Sequence, residues 1–149
     1  MTFEIIETPI RFHLYGLAAE VQNNSVSEVG MRLMNQLWKV VKESETATTG
    51  INHWVYLPDN QMFVGVELLS NSRSPNQLEP LVFELQRHLK HVHVGPYQAL
   101  PAKWSSLKSE LADRGETICS PCMEIYGHHS DNPSKLETTI LIGLRSKRQ

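Results

Sequence analysis

An order of predicted elements that recurs at an offset of about 70 residues constrains this chain more than any single motif does. Ile5 to Glu20 reads as a half-buried strand with Ile10, Phe12 and Leu14 on one face. A helix follows: Asn24, Ser25 and Ser27 offer N-cap oxygens, and Val26, Val29, Leu33, Leu37 and Val40 form an apolar stripe that Met34 and Trp38 widen. Trp54-Val55-Tyr56, a turn at Pro58-Asp59-Asn60, and Met62 to Leu69 then read as a hairpin. The second half repeats the order, with a strand from Val82 to Val94, a turn at Gly95-Pro96, a helix, and strands at 122–128 and 137–144. In that helix Leu100, Trp104, Leu107 and Leu111 fall at helical spacing, Pro101 suits the first turn, and Gly115 provides the stop. The shift lays Trp54-Val55-Tyr56 on Glu124-Ile125-Tyr126, and Leu37 on Leu107.

The expected fold class is α+β: duplicated β-α-β-β modules related by a pseudo-twofold axis, building two sheets or one continuous antiparallel sheet, with two main helices and a central ligand groove; a chance likeness of a common element order is the plainer alternative to duplication. The half-repeats span about residues 1–70 and 81–146 within a single domain of 1–149, joined by a polar connector over 70–80. A length of 149 residues is enough to bury one core, and a separate DNA-reading domain within it is not expected.

A net charge of −2 argues against direct nucleic-acid binding, which leaves a basic stripe; Arg145, Lys147 and Arg148 read as a solvated tail. No apolar run reaches membrane-spanning length, and Met1-Thr2-Phe3-Glu4 lacks the basic lead of a secretory signal, so the expected location is the cytoplasm. The two cysteines, Cys119 and Cys122, are too few for a secreted disulfide framework. With His128 and His129 they could complete a tetrahedral zinc set, and His91 with His93 could chelate from one strand face. A single cysteine pair and a solvated strand edge account for these residues more simply, so neither a metal nor another cofactor is expected. There is no G-x-S-x-G elbow, P-loop or dinucleotide fingerprint to support the commoner covalent and nucleotide chemistries.

The chemistry-bearing feature is one carboxylate inside an apolar strand, Met123-Glu124-Ile125-Tyr126. Alternation puts Glu124 and Tyr126 on one face and Met123 and Ile125 on the other. A strand carboxylate taken out of water is costly unless it is paired, which makes Glu124 the leading site residue; the plainer alternatives are a solvated position or bonds to backbone amides. Phe63 and Glu67 share a face and are candidates to line the groove, with Gly65 leaving space between them; an exposed strand position accounts for Glu67 equally well. Trp54, Tyr56 and Tyr97 are candidate aromatic walls, since indole and phenol rings hold flat or cationic ligands by stacking and cation-π contact. Trp38 and Trp104 join that set, although aromatic residues at helical spacing more often serve the core.

The order Val94-Gly95-Pro96-Tyr97, the helix with Trp104 and Leu107 ending at Gly115, the triplet Glu124-Ile125-Tyr126 and the strand opening Glu137-Thr138-Thr139 together resemble the gyrase-inhibitor-like (GyrI-like) family, the effector-binding domain of AraC-type and multidrug-sensing regulators. Val64-Gly65-Val66-Glu67 is similar to that family as well. The resemblance covers nearly the whole chain and implies two β-α-β-β modules around a groove for a small lipophilic molecule, aromatic or cationic, with a buried glutamate as counter-charge. It implies a sensor or sequestering protein of the transcription-regulator effector type. Some relatives are described as hydrolases of strained electrophiles, a reading in which Glu124 and Tyr126 are catalytic, and others protect gyrase, which admits a regulator or gyrase as protein partner. The cysteines ahead of the key strand and the histidines after it depart from the family pattern.

Overall fold

The computed structural model describes residues 3–22, 25–70, 72–128 and 130–146. Asn24, His129, Lys147 and Arg148 lie outside the described residues. The elements run β1 (Glu4–Ile6), β2 (Ile10–Glu20), α1 (Val26–Ser44), β3 (His53–Leu57), β4 (Gln61–Val66), β5 (Glu79–Leu85), β6 (His88–Val94), a short 3-10 turn (Tyr97–Ala99), α2 (Leu100–Asp113), β7 (Ile118–Tyr126), a second 3-10 turn (Pro133–Lys135) and β8 (Glu137–Leu144). The fold is α+β with antiparallel pairing and two main helices.

The chain divides into two compact units, Arg11–Glu84 and Met1–Ile10 with Leu85–Gln149. The first has the strand order β3-β4-β2-β5, and the second has β7-β8-β6-β1. Each unit is therefore one β-α-β-β module with an extra edge strand, and the extra strand is exchanged. β1, which precedes β2 in the chain, pairs with β6 through Glu4 and Lys90, Ile5 and Leu89, and Ile6 and His88. β5, which precedes β6, stands next to β2.

The compact units are therefore drawn differently from the sequence half-repeats over 1–70 and 81–146. The single strand expected over 5–20 is two strands separated at residues 7–9, where Pro9 has no N–H to give a ladder. The single strand expected over 82–94 breaks at Gln86 and Arg87. Arg87 turns its guanidinium to Glu116 (Nη1 to Oε1 2.6 Å, Nη2 to Oε2 2.8 Å) and Glu7 (Nε to Oε2 3.0 Å), and a straight strand would not point it at both. Glu79 and Pro80, expected in the connector, belong to β5, where an edge strand tolerates proline.

In the Arg11–Glu84 unit Ser25 caps α1 by accepting the Glu28 N–H at 3.2 Å, and Glu45 ends the helix in the left-handed region at φ 53°. Val29, Gly30, Leu33, Leu37 and Val41 form the buried stripe. Val26 is exposed and Val40 half-buried, so the stripe ends one position later than its sequence spacing suggests. Gly30 is required by packing: a Cβ there would run into the Trp54 ring. The turn from β3 to β4 places Asp59 and Asn60 at φ 62° and 59°, a left-handed pair suited to a tight hairpin. Phe12 and Leu14 are buried as expected, but Ile10, at the start of β2, is exposed.

In the other unit Pro101 sits in the first turn of α2, and Gly115, at φ 75°, follows its end. Leu100, Leu107 and Leu111 of α2 pack with Leu89 of β6 and Ile140, Ile142 and Leu144 of β8. Each fully buried leucine or isoleucine contributes roughly 1.5–3 kcal/mol of burial free energy. β7 begins at Ile118, earlier than the expected 122, and ends at Tyr126; its pairing with β8 shifts between Ile118 and Cys122. Both cysteines consequently lie on the strand rather than ahead of it. No helix among the described residues is long and apolar enough to cross a membrane.

Candidate functional site

β7 sets the site by alternation. Opposite β8, Cys122 meets Ile142, Glu124 meets Ile140 and Tyr126 meets Thr138, so these side chains share the face that packs under α2. Met123 and Ile125 take the other face. On α2, Trp104 stands on the buried side between Leu100 and Leu107, one helical turn from each. A carboxylate therefore enters an apolar layer, and Glu124 is only 5% exposed.

Its two oxygens have different donors. Trp104 Nε1–H donates to Oε2 at 2.6 Å, and the Tyr126 hydroxyl donates to Oε1 at 2.6 Å. Hydrogen bonds to a charged group are worth about 1.5–3 kcal/mol each, enough to offset much of the cost of enclosing the acid. The Tyr97 ring, in the 3-10 turn, packs edge-on to Tyr126 with centroids 5.4 Å apart and planes at 81°. The Gly95 N–H donates to Leu136 O at 2.8 Å, which ties that turn to the start of β8. Lys108 Nζ lies 5.7 Å from the Trp104 ring centroid. The result is a buried acid held by an indole and a phenol, with a second, more exposed phenol beside it.

Four of the sequence candidates, Glu124, Tyr126, Tyr97 and Trp104, thus meet in one cluster. Trp104 stands there through its N–H rather than as a plain core ring. The other five belong to the Arg11–Glu84 unit. Trp54, opposite Val64, is buried over Gly30, and Phe63, opposite Val55, is buried on the reverse face beside Gly65. Tyr56 is half-buried on β3. Trp38 donates its Nε1–H to Asn52 Oδ1 at 2.6 Å. Glu67 follows β4, with its side chain 48% exposed and Oε1 3.9 Å from His53 Nε2. Burial holds the His53 pKa below its ordinary value, against the pull of Glu67 and of backbone bonds at Ile51 and Gly65.

Cys119 and Cys122 are free thiols, the first exposed and the second half-buried. Burial pushes the Cys122 thiol up, against a backbone hydrogen bond at Gly143. A surface hollow of about 320 Å³ opens beside β1 and β6, lined by Phe3, Glu4, Lys90, His91 and Val92. None of the nine candidate residues lines it.

Sequence reasoning missed Thr138. It is completely buried on the Glu124 face of β8, next to Tyr126, and its Oγ1 has no hydrogen-bond partner among the described residues. The signal was present in the alternation of β8, in which Thr138 takes the inward position and Thr139 the outward one.

A family model described as the GyrI-like small molecule binding domain matches residues 1–145. The chain belongs to this family. Among curated proteins none matches it. Solved structures with the same fold include the EcmrR–DNA complex, with a TM-score of 0.72 and 14% identity over 97% of this chain; the match spans 58% of the EcmrR chain. The isolated C-terminal domain of EcmrR gives a TM-score of 0.70 at 15% identity, covering 98% of this chain and 99% of that one. SAV2435 bound to tetraphenylphosphonium gives 0.64 at 12% identity, covering 98% and 95%. At these identities the likeness is one of fold. The GyrI-like domain described here is a small-molecule-binding domain by family, and its own side chains must argue what it binds.

Proposed function

We propose that this GyrI-like domain takes up a lipophilic cation, with Glu124 as counter-charge and Tyr126, Tyr97 and Trp104 as the aromatic surround, and acts as a sensor or sequestering module. The observation that carries the reading is the Glu124 carboxylate, 5% exposed and bonded by Trp104 and Tyr126. In a low-dielectric layer a cation brought to that acid gains far more than it would in water, and the adjacent rings add cation-π attraction of about 0.5–2 kcal/mol each. The same arrangement gives a neutral ligand only its apolar contacts. A fold neighbour captured with tetraphenylphosphonium is in keeping with this chemistry.

The test is titration of tryptophan fluorescence with tetraphenylphosphonium and, separately, with neutral triphenylphosphine oxide. Glu124→Gln keeps the shape and removes the charge, so affinity for the cation should fall by about ten- to a hundredfold while the neutral compound binds unchanged. Equal losses for both compounds, or none for either, would reject the counter-charge role.

A further inference from the structure

One polar group on the Glu124 face has no task in that reading. Thr138 is fully enclosed, and its hydroxyl finds no acceptor or donor among the described residues. A buried hydroxyl left unpaired costs about 1–3 kcal/mol, and valine would fill the same space without that cost. The strand register places it with care. Thr138 is the Cα partner of Tyr126 on β7 and of His93 on β6, so it sits between a phenol and an imidazole. Its neighbours two and four positions along, Ile140 and Ile142, lie in the layer under α2, which puts the hydroxyl on the same face as the acid. Glu124 and Thr138 are diagonal neighbours across adjacent strands, a relation that separates Cα atoms by about 7–8 Å.

We propose that Thr138 is a ligand contact of this site and sets its specificity: the preferred ligand is a lipophilic cation that also carries a hydroxyl or carbonyl group several ångströms from its charge. The inference rests on the counter-charge reading of Glu124 and adds to it. A threonine hydroxyl both donates and accepts, so it suits either group. Tyr97, 40% exposed and edge-on to Tyr126, is the solvent-facing ring of this cluster. Without the ligand the hydroxyl is a standing cost; with it, the cost is relieved, so a bare cation and a hydroxylated one are told apart.

The experiment compares phenyltrimethylammonium with 3-hydroxyphenyltrimethylammonium by calorimetric titration of the wild-type protein, Thr138→Val, Thr138→Ser and Glu124→Gln. The wild type should prefer the hydroxylated cation by about five- to tenfold, the yield of one net hydrogen bond. Thr138→Val should erase that preference, keep the affinity for the bare cation and melt no lower than the wild type, whereas Thr138→Ser should restore it. A preference that survives in Thr138→Val, or that is absent from the wild type while the bare cation still binds in a Glu124-dependent way, overturns the role of Thr138 alone. Failure of both cations to bind, or binding indifferent to Glu124→Gln, overturns the underlying reading and this inference with it.

Discussion

Replacing Trp104 with phenylalanine isolates the bond on which the enclosed acid depends. The change keeps an aromatic ring against the layer of Leu100, Leu107 and Ile140 but deletes the Nε1–H that meets Glu124 Oε2 at 2.6 Å. A hydrogen bond to a charged acceptor is worth about 1.5–3 kcal/mol, and the oxygen it leaves is on a residue only 5% exposed, so water does not readily take the place of the indole. A loss of about 2 kcal/mol in a chain of this size lowers the melting temperature by roughly 4–8 °C. The refined form of the test is a double-mutant cycle with Glu124→Gln, in urea unfolding followed by far-UV circular dichroism. In the Glu124→Gln background the lost bond is to a neutral amide rather than to a carboxylate, so Trp104→Phe should cost clearly less there than in the wild type, with a coupling of about 1 kcal/mol or more. Costs that add within about 0.5 kcal/mol would show that the indole and the carboxylate stabilise the fold independently, and the argument from a paired buried acid would fail.

Two further outcomes concern stability away from the cluster. Arg87→Met should destabilise by about 3–5 kcal/mol in the same urea assay, because it abandons the Glu116 carboxylate, whose side chain is 4% exposed; a loss below about 1 kcal/mol would mean that the ion pair is not what fixes the corner between β5 and β6. His53 gives a pH dependence of definite sign. Its folded pKa is held below the ordinary value of 6.5 by burial, so the unfolded chain takes up the proton first as pH falls. Stability is then complete above about 6.5 and declines below it, and His53→Gln should flatten that part of the curve; an unchanged slope would refute the assignment.

How far the chain could be read depended on whether the cause of each feature was local. Period-two alternation put Glu124 beside Tyr126, helical spacing put Trp104 on the buried side of α2, and the Ser25 cap and Asp59-Asn60 turn follow from side-chain and backbone preferences within a few residues. The break after β1 also had a local sign in Pro9, which follows Glu7 and Thr8. The break between β5 and β6 had none: Gln86-Arg87 contains no turn former, and the corner is held by Arg87 reaching Glu116, 29 positions further along. The same limit applied to Trp104. Spacing can say that a tryptophan faces inward, but whether its N–H meets a leucine or a carboxylate depends on a strand 20 positions away. Thr138 was hidden for a related reason, since an unpaired hydroxyl is defined by what surrounds it.

The two modules answer one packing question in opposite ways. At the repeat offset of about 70 residues, Trp54 on β3 occupies the position that Glu124 occupies on β7, and each faces the helix of its own module. In the Arg11–Glu84 unit the strand supplies the ring and the helix supplies the space, as a Cβ at Gly30 would strike Trp54. In the other unit Leu100 stands at the offset position of Gly30, the bulk is on the helix there and one turn further along at Trp104, and the strand supplies a smaller, acidic side chain. Exchanging which partner is large turns a filled apolar contact into an indole N–H pointed at an acid. The β3–β4 connection is a tight turn, whereas β7 and β8 are separated by residues 127–136, and Tyr126 and Thr138 are paired next to that connection. The enclosed acid, a buried hydroxyl with no partner among the described residues and a longer connection thus occur together in the same module. That asymmetry within a duplicated plan is the physical argument behind the proposal that a ligand is met at Glu124 rather than at Trp54.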